Sequence, residues 1–227
     1  MIEIVPAILP ENVGELRGKI TLISNLVKTV QIDFCDGIFV PHKTWPYNGK
    51  DDLYYQKIQR EEEGLPFCDE IDYEFDLMVK DATKKFSDIV KLGPAKVIFH
   101  LKAEYALLEF FENLEPYYKE NIKFGIAVTK DVDIEEISQY VTHIDFIQCM
   151  GIEKIGFQNQ PFDTGILELV KNLHERYPSL TIGVDGGVNL ETGTQLVENG
   201  ATKLVVGSAI FSSLDIAGKI IEFTHIA

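Results

Sequence analysis

Basic residues are scarce in this chain. Lysine and arginine together number 21 against 36 aspartates and glutamates, a formal net charge of −15 over 227 residues. Nucleic-acid binding depends on Lys/Arg clusters that neutralise phosphates and release counterions, and no stretch here holds four basic residues together. That lack excludes nucleic acid as a partner, and it excludes an anionic membrane surface for the same reason. Long apolar runs are lacking too, since none reaches the roughly 18 residues of a membrane-crossing helix. The opening residues show neither the basic n-region nor the cleavage pattern of a signal peptide. Cys35, Cys68 and Cys149 are the only cysteines, far apart and in no CxxC arrangement. Neither a disulfide framework nor a zinc knuckle is indicated, and the reading is of reduced thiols in a cytoplasmic protein. No linker, low-complexity tract or composition break interrupts the chain, which reads as one domain over residues 1–227.

What is present is an alternation. Short β-branched or aromatic runs at 3–9, 29–34, 72–79, 96–101, 123–129, 143–150, 180–185 and 203–206 are separated by longer segments. Several of these, at 12–27, 82–92, 106–119, 162–177 and 191–199, carry apolar residues at helical spacing. The strand starts recur about every 29 residues, the length of a strand plus a crossover helix, and such alternation implies a parallel sheet. Eight units in this length fit a compact (β/α)8 TIM barrel. An open doubly wound sheet is disfavoured by the unit count and by the missing G-x-G-x-x-G after the first strand. Region 36–72 is an extended loop/helix insertion, and its charged run at 60–63 reads as a solvated helix face.

Strand parity makes candidate chemistry visible. Side chains alternate with period two, so Ile32 and Phe34 oppose Gln31 and Asp33, Phe75 and Leu77 oppose Glu74 and Asp76, and Ile182 and Val184 oppose Gly183 and Asp185. Helices cover the outside of a barrel, so the apolar sets face outwards. Gln31, Asp33, Asp76 and Asp185 then fall inside, near the carboxyl ends of their strands, where this fold keeps its chemistry. Buried carboxylates must be paired, protonated or bound to a cation. Mutual hydrogen bonds with a buried lysine or water would also satisfy them.

Two glycine turns form a second set. Residues 184–189 (Val-Asp-Gly-Gly-Val-Asn) end the seventh strand, and residues 205–211 (Val-Val-Gly-Ser-Ala-Ile-Phe) end the eighth. Glycines let backbone N–H groups approach an anion, and the loops after these two strands are the standard phosphate position in the barrel. Backbone amides can hold a phosphate without lysine, which reconciles an anionic ligand with an acidic chain.

Taken together these motifs resemble the ribulose-phosphate 3-epimerase family. Residues 5–9 resemble its opening Pro-Ser-Ile-Leu, and residues 31–41 (Gln-Ile-Asp-Phe-Cys-Asp-Gly-Ile-Phe-Val-Pro) resemble His-x-Asp-x-Met-Asp-Gly-x-Phe-Val-Pro. Asp76-Leu77-Met78 stands where the family has His-Leu-Met, and His100 matches the histidine closing its fourth strand. Residues 156–162 are similar to the Gly-Phe-Gly-Gly-Gln-x-Phe loop after strand six, and residues 184–189 and 207–211 match almost letter for letter. The resemblance implies an isomerase of carbohydrate metabolism that moves a proton at C3 of a ketopentose 5-phosphate. It assigns Asp33 and Asp185 as acid and base on opposite faces of the sugar. It assigns Gly156, Gly186, Gly187, Gly207 and Ser208 to phosphate and substrate binding, with Met78 and Met150 lining the site.

The departures concern the metal. In the family two histidines and two aspartates hold a divalent ion; here the histidine positions are Gln31 and Asp76, and the third methionine position is Cys35. Oxygen ligands from Asp33, Asp76, Asp185 and Gln31 suit Mg²⁺ or Mn²⁺ rather than Zn²⁺. Alternatively no metal binds and Gln31 donates a hydrogen bond to Asp76 or to substrate. The family's serine after the first proline is Ala7, and its lid glycines are Gln158 and Asn159. Two other functions stay open: a divergent barrel enzyme on another sugar phosphate, and a catalytically silent sugar-phosphate-binding protein. A related decarboxylase would carry Asp-x-Lys-x-x-Asp, which is absent, and the interior reads as free of lysine. His42 reads as a surface loop residue and His100 as a hydrogen-bonding group rather than a ligand. Trp45 and Tyr47 read as a cap on the site or a subunit contact, and assembly into a homo-oligomer stays open.

Overall fold

The structure, a computed structural model, describes residues 2–157 and 159–226. Eight strands, β1 (Glu3–Ile8), β2 (Thr29–Cys35), β3 (Asp72–Met78), β4 (Lys96–His100), β5 (Lys123–Val128), β6 (Phe146–Met150), β7 (Thr181–Asp185) and β8 (Lys203–Val206), hydrogen-bond in chain order and close on themselves. Neighbouring strands pair in parallel, which requires a crossover between them. The crossovers carry helices α1 (Val13–Thr21), α2 (Asp52–Gln59), α3 (Phe86–Ile89), α4 (Leu107–Asn113), α5 (Pro116–Asn121), α6 (Ile134–Ser138), α7 (Ile166–Arg176), α8 (Leu190–Glu198) and α9 (Ser208–Phe211), and α10 (Ile216–Thr224) follows β8. This is the expected (β/α)8 barrel class. Among the described residues no helix is long and apolar enough to cross a membrane. Contacts divide the chain into two units, residues 7–124 and residues 125–227 with 1–6.

In the unit 7–124, β2, β3 and β4 run in register: Gln31 pairs with Glu74, Asp33 with Asp76, and Phe34 with Leu77. The alternate positions Phe34, Phe75 and Phe99 are fully buried. Phe34 packs on Phe75 with ring centroids 4.9 Å apart, and Phe99 packs on Phe110 of α4 at 5.3 Å. The segment 106–119 is two helices rather than one. Pro116 has no N–H to continue α4, so α5 starts there with proline at its N-terminus. The charged run at 60–63 is a correction. It lies past the end of α2 as an exposed turn with Glu61 at φ 61°, so it is solvated but not helical.

The insertion after β2 is sewn to the end of that strand. Thr44 donates its hydroxyl to the Asp33 carbonyl at 2.8 Å and accepts from the Cys35 N–H at 2.9 Å, while its own N–H reaches the Cys35 carbonyl at 3.0 Å. Trp45 follows, fully buried, with its ring edge-on to Phe34 and Tyr55. That burial overturns both expectations for Trp45: an indole with no exposed surface neither caps a site nor meets a second subunit. His42 is half-buried in the loop, 4.0 Å from Glu11, as a surface histidine.

Asp36 shapes the turn beyond β2. Its Oδ1 accepts from the N–H groups of Ile38 (2.8 Å) and Phe39 (3.0 Å), and its Oδ2 accepts from Lys80 N–H (3.0 Å), with the Lys85 ammonium 3.7 Å away. Burial pushes this carboxyl up, but the three N–H donors and Lys85 outweigh it and hold it below its ordinary value. Asp36, grouped by sequence with the mouth aspartates, is therefore the residue that ties the β2 turn to the segment after β3.

In the other unit, small residues make room for large ones. A Cβ on Gly125 would lie 2.4 Å from the Phe146 ring, and one on Gly183 would lie 2.6 Å from Cε of Lys203. Lys203 is 1% exposed, and its ammonium lies over the Phe146 ring at 4.2 Å. The interior is thus not free of lysine, contrary to expectation. The glycine opposite Lys203 in the register leaves space for its stem, a feature that composition does not show. In the unit 7–124, Lys96 reaches the buried Glu74 carboxylate at 3.6 Å.

Two outcomes follow from this packing. Gly125→Ala is expected to cost about 1–3 kcal/mol in urea unfolding, because Phe146 must move within a filled core. Asp36→Ala is expected to cost about 2–4 kcal/mol at neutral pH, the loss of three donors' acceptor and an ion-pair partner. A depressed carboxyl stabilises the fold above its unfolded value of 3.8 and loses that contribution as pH falls through its folded value. The gap between wild type and variant should therefore narrow in unfolding titrations carried below that pH.

Candidate active site

Two sets of side chains at the carboxyl ends of strands carry the chemistry, one in each unit. In the unit 7–124 they come from β2, β3 and β4. Gln31, Asp33, Asp76, Met78 and His100 are all buried, with Gln31 and Asp76 showing no exposed surface. Gln31 and Asp33 lie two residues apart on one strand and so share a face. The Gln31 Nε2 donates to Asp33 Oδ1 at 2.7 Å. The amide N–H therefore serves Asp33, where the expectation was Asp76 or substrate, and its Oε1 is the atom suited to a cation. Asp76 has its own nitrogen partner: His100 Nε2 lies 2.6 Å from its Oδ1. His100 is thus a hydrogen-bonding group, as expected, and its ring packs on Phe39 of the β2 turn.

Each of these carboxylates has a nitrogen partner at one oxygen. That arrangement fits ligation of a hard cation through carboxylate oxygen, since ligating carboxylates are commonly oriented by outer hydrogen bonds. It does not supply the soft or imidazole ligands of a zinc centre. Cys35 adds no thiolate. Burial first, and then the Asp33 and Asp76 carboxylates, push its thiol far above the ordinary range. Cys149 on β6 is pushed up to about 12 by burial alone. Both thiols are protonated and unreactive at neutral pH, as the reading of reduced structural cysteines expects.

In the other unit β6 and β7 end side by side, Met150 opposite Asp185 and Gln148 opposite Gly183. Asp185 is half-buried, Met150 and Gln148 are buried, and Gln148 Nε2 donates to Asp185 Oδ2 at 3.4 Å. Gln148 was not among the sequence candidates. A polar residue at the centre of Phe-Ile-Gln-Cys-Met, sharing the face of Met150, is the signal that could have found it. Beyond Asp185 the chain turns through Gly186 (φ 102°) and Gly187 (φ 68°), both left-handed. A Cβ on Gly187 would lie 2.7 Å from the Phe162 backbone, so packing alone demands glycine there. Asn189 caps α8, accepting from Glu191 and Thr192 N–H, so the first donors of that helix are committed to its own cap. Gly156 is buried at φ 82° in the loop after β6, and Gly207 precedes α9, with Ser208 as its first residue. Gln158 of the same loop as Gly156 lies outside the described residues. Lys130 pins the end of that loop through Asp163 at 2.6 Å and Glu153 at 3.3 Å.

The chemistry available is that of carboxylates steadied by neutral nitrogen donors, beside backbone turned by glycine. Similar proteins are numerous. Ribulose-phosphate 3-epimerase of Treponema pallidum is 28% identical over 212 residues, covering 91% of this chain and 90% of that protein. The enzyme of the same name from Eremothecium gossypii is 26% identical over 215 residues, covering 93% and 87%, and that from Bacillus subtilis 24% over 221 residues, covering 95% and 94%. Solved structures share the fold at lower identity. They include KGPDC from Streptococcus mutans in complex with a sugar phosphate (TM-score 0.70, 14% identity, 98% and 95% covered). Another is 3-hexulose-6-phosphate synthase from Salmonella typhimurium (TM-score 0.69, 14% identity, 99% and 98% covered). The model of the ribulose-phosphate 3 epimerase family matches residues 3–211, and the chain belongs to that family.

Proposed function

We propose that this chain is a ribulose-phosphate 3-epimerase-like isomerase that inverts C3 of a ketopentose 5-phosphate by proton transfer between two aspartates, Asp33 and Asp185. The observation that carries the reading is the family match across residues 3–211, combined with a carboxylate at each of those two positions that accepts an amide hydrogen bond. Inverting a carbon requires a proton acceptor on one face and a donor on the other, and a carboxylate can be either. Asp33 removes the C3 proton from one epimer while Asp185, protonated, delivers one to the opposite face; the reverse reaction exchanges the roles.

The 5-phosphate is held by backbone N–H groups at Gly186, Gly187, Gly207 and Ser208, with Gly156 in the loop above. This choice suits the acidic chain, since an amide binds an anion without needing a cationic side chain. Met78 and Met150, buried and uncharged, line the sugar. That a structural neighbour is described in complex with a sugar phosphate supports a small phosphorylated sugar as the ligand class.

Asp33, Asp76 and Asp185 can each offer a carboxylate oxygen to one ion, with the Gln31 amide oxygen as a fourth donor. An all-oxygen set selects Mg²⁺ or Mn²⁺ over Zn²⁺. When bound, such a cation supplies positive charge to substrate oxygens as negative charge builds on them. The protein's own contribution is to orient the two carboxylates and exclude water from them.

The reading is tested by assaying interconversion of ribulose and xylulose 5-phosphates after chelation, with Mg²⁺, Mn²⁺ or Zn²⁺ restored in turn. Turnover is expected, with Zn²⁺ no better than Mg²⁺ or Mn²⁺; folded protein with no turnover under any condition overturns it. Asp33→Asn and Asp185→Asn should each lower kcat by roughly a thousandfold or more, as loss of a proton-transferring group does. Both variants should still gain thermal stability from the sugar phosphate, which separates chemistry from binding. Gly187→Ala should raise KM more than it lowers kcat, because it distorts the phosphate turn and leaves the carboxylates in place.

A further inference from the structure

Gln31 and Gln148 are fully buried amides on two different strands, and each aims its NH₂ at one of the two proposed proton-transfer carboxylates. A buried glutamine is costly unless its amide is used. In a barrel interior an aliphatic side chain would fill the same space. Two such residues, each serving one of the two aspartates, are hard to account for as packing. Their geometry is unequal. The Gln31–Asp33 bond is 2.7 Å and runs along one strand to the residue two positions on, whereas the Gln148–Asp185 bond is 3.4 Å and runs diagonally from β6 to β7. Gln148 stands opposite Gly183, which presents no side chain to obstruct that diagonal.

Resting on the proposed epimerase reaction, we infer that Gln31 and Gln148 are positioning residues, each fixing the rotamer of one proton-transferring aspartate, tightly at Asp33 and loosely at Asp185. Neither touches the reacting atoms. A carboxylate has about four lone-pair directions. An amide N–H that occupies one of them restricts the carboxylate's rotation while leaving others to meet the substrate. An amide also adds no charge, so the aspartate keeps its ability to take up and release a proton, which an adjacent lysine or arginine would suppress. Alignment of this kind acts on the proton-transfer step itself, because transfer requires donor and acceptor within hydrogen-bond reach in the correct direction.

The two-face reaction supplies a readout that a merely structural residue would not move. One epimer loses its C3 proton to Asp33 and the other loses it to Asp185. Slowing the Asp33 step makes proton removal more rate-limiting for the first epimer and reprotonation more rate-limiting for the second. The isotope effect on kcat/KM measured with C3-deuterated substrate must then rise for one epimer and fall toward unity for the other. Slowing the Asp185 step must reverse the pattern.

The experiment compares wild type with Gln31→Met and Gln148→Met, which keep side-chain volume while deleting the donor. Gln31→Glu and Gln148→Glu form a second pair that keeps length and polarity but replaces the N–H with an acceptor. Isotope effects are measured in both directions, with thermal unfolding of each variant alongside. Gln31→Met is expected to lower kcat roughly tenfold and Gln148→Met several-fold less, with KM changed by less than about twofold. For any one epimer, the Gln31 and Gln148 variants should shift the isotope effect in opposite directions, and the Glu pair should show the same opposition. Shifts in the same direction, or lower activity with unchanged isotope effects, overturn the positioning assignment while leaving the epimerase reading standing. A folded wild type that neither interconverts the epimers nor exchanges the C3 proton overturns that reading and this assignment with it.

Discussion

The cost of burying a carboxylate governs this structure. Asp33, Asp36, Asp76 and Glu74 are each at most 6% exposed in a chain of net charge −15, where neighbouring charge offers little relief. An unpaired ionised carboxylate in such surroundings would cost several kcal/mol. Each of the four has an identified nitrogen partner: the Gln31 amide on Asp33, His100 on Asp76, backbone N–H groups and Lys85 around Asp36, and Lys96 beside Glu74. The partners differ in kind, and the difference sorts the residues by role. Asp36 is satisfied by three fixed backbone donors that hold its carboxyl low, so it stays ionised and builds the turn. Asp33 receives an amide bond on one oxygen, a neutral support that leaves its carboxyl able to take up a proton.

The same constraint explains the insertion after β2. A strand end that carries a buried carboxylate must not fray, because fraying would swing Asp33 away from its amide. Thr44 closes a short ring of hydrogen bonds over the backbone of Asp33 and Cys35, and Trp45 behind it locks that ring with a large buried aromatic surface. Burial of an indole of this size contributes on the order of 2–3 kcal/mol. The unusual length of the 36–72 segment therefore supports the site from behind, and a loop of that size need not reach over a substrate to influence it.

Much of this was legible in the sequence because two simple periods carried it. Period-two alternation placed Gln31, Asp33, Asp76 and Asp185 on the polar faces of their strands, and the recurrence of strand-helix units implied eight strands. Failures arose where the decisive fact is a distance between residues remote in sequence. Lys203 is buried because Gly183, twenty residues earlier, leaves room beside it, and no local pattern announces that. Gln148 escaped notice because its strand is short and its neighbours are apolar, although its parity with Met150 was available. Trp45 looked like surface because loops usually are, yet its neighbours Phe34 and Tyr55 lie eleven and ten residues away on either side and enclose it. The helix at 106–119 was over-extended because apolar spacing outvoted Pro116, whose missing N–H is a stronger local fact.

Exchange of nitrogen for oxygen at the family's metal positions gains a physical meaning from His100. The resemblance places imidazoles at positions 31 and 76, where this chain has an amide and a carboxylate. A carboxylate at 76 would add a negative charge to an already acidic set, yet His100 lies within hydrogen-bond reach of it at 2.6 Å. Imidazole thus remains beside position 76, one layer back from the ligands. An amide at 31 makes the complementary change: it gives up a ligand nitrogen and gains an N–H that steadies Asp33. Each exchange moves nitrogen from the role of cation ligand to that of carboxylate support. The result is a set whose forward-facing atoms are oxygens and whose nitrogens stand behind them, a division suited to a hard cation and to carboxylates that carry protons.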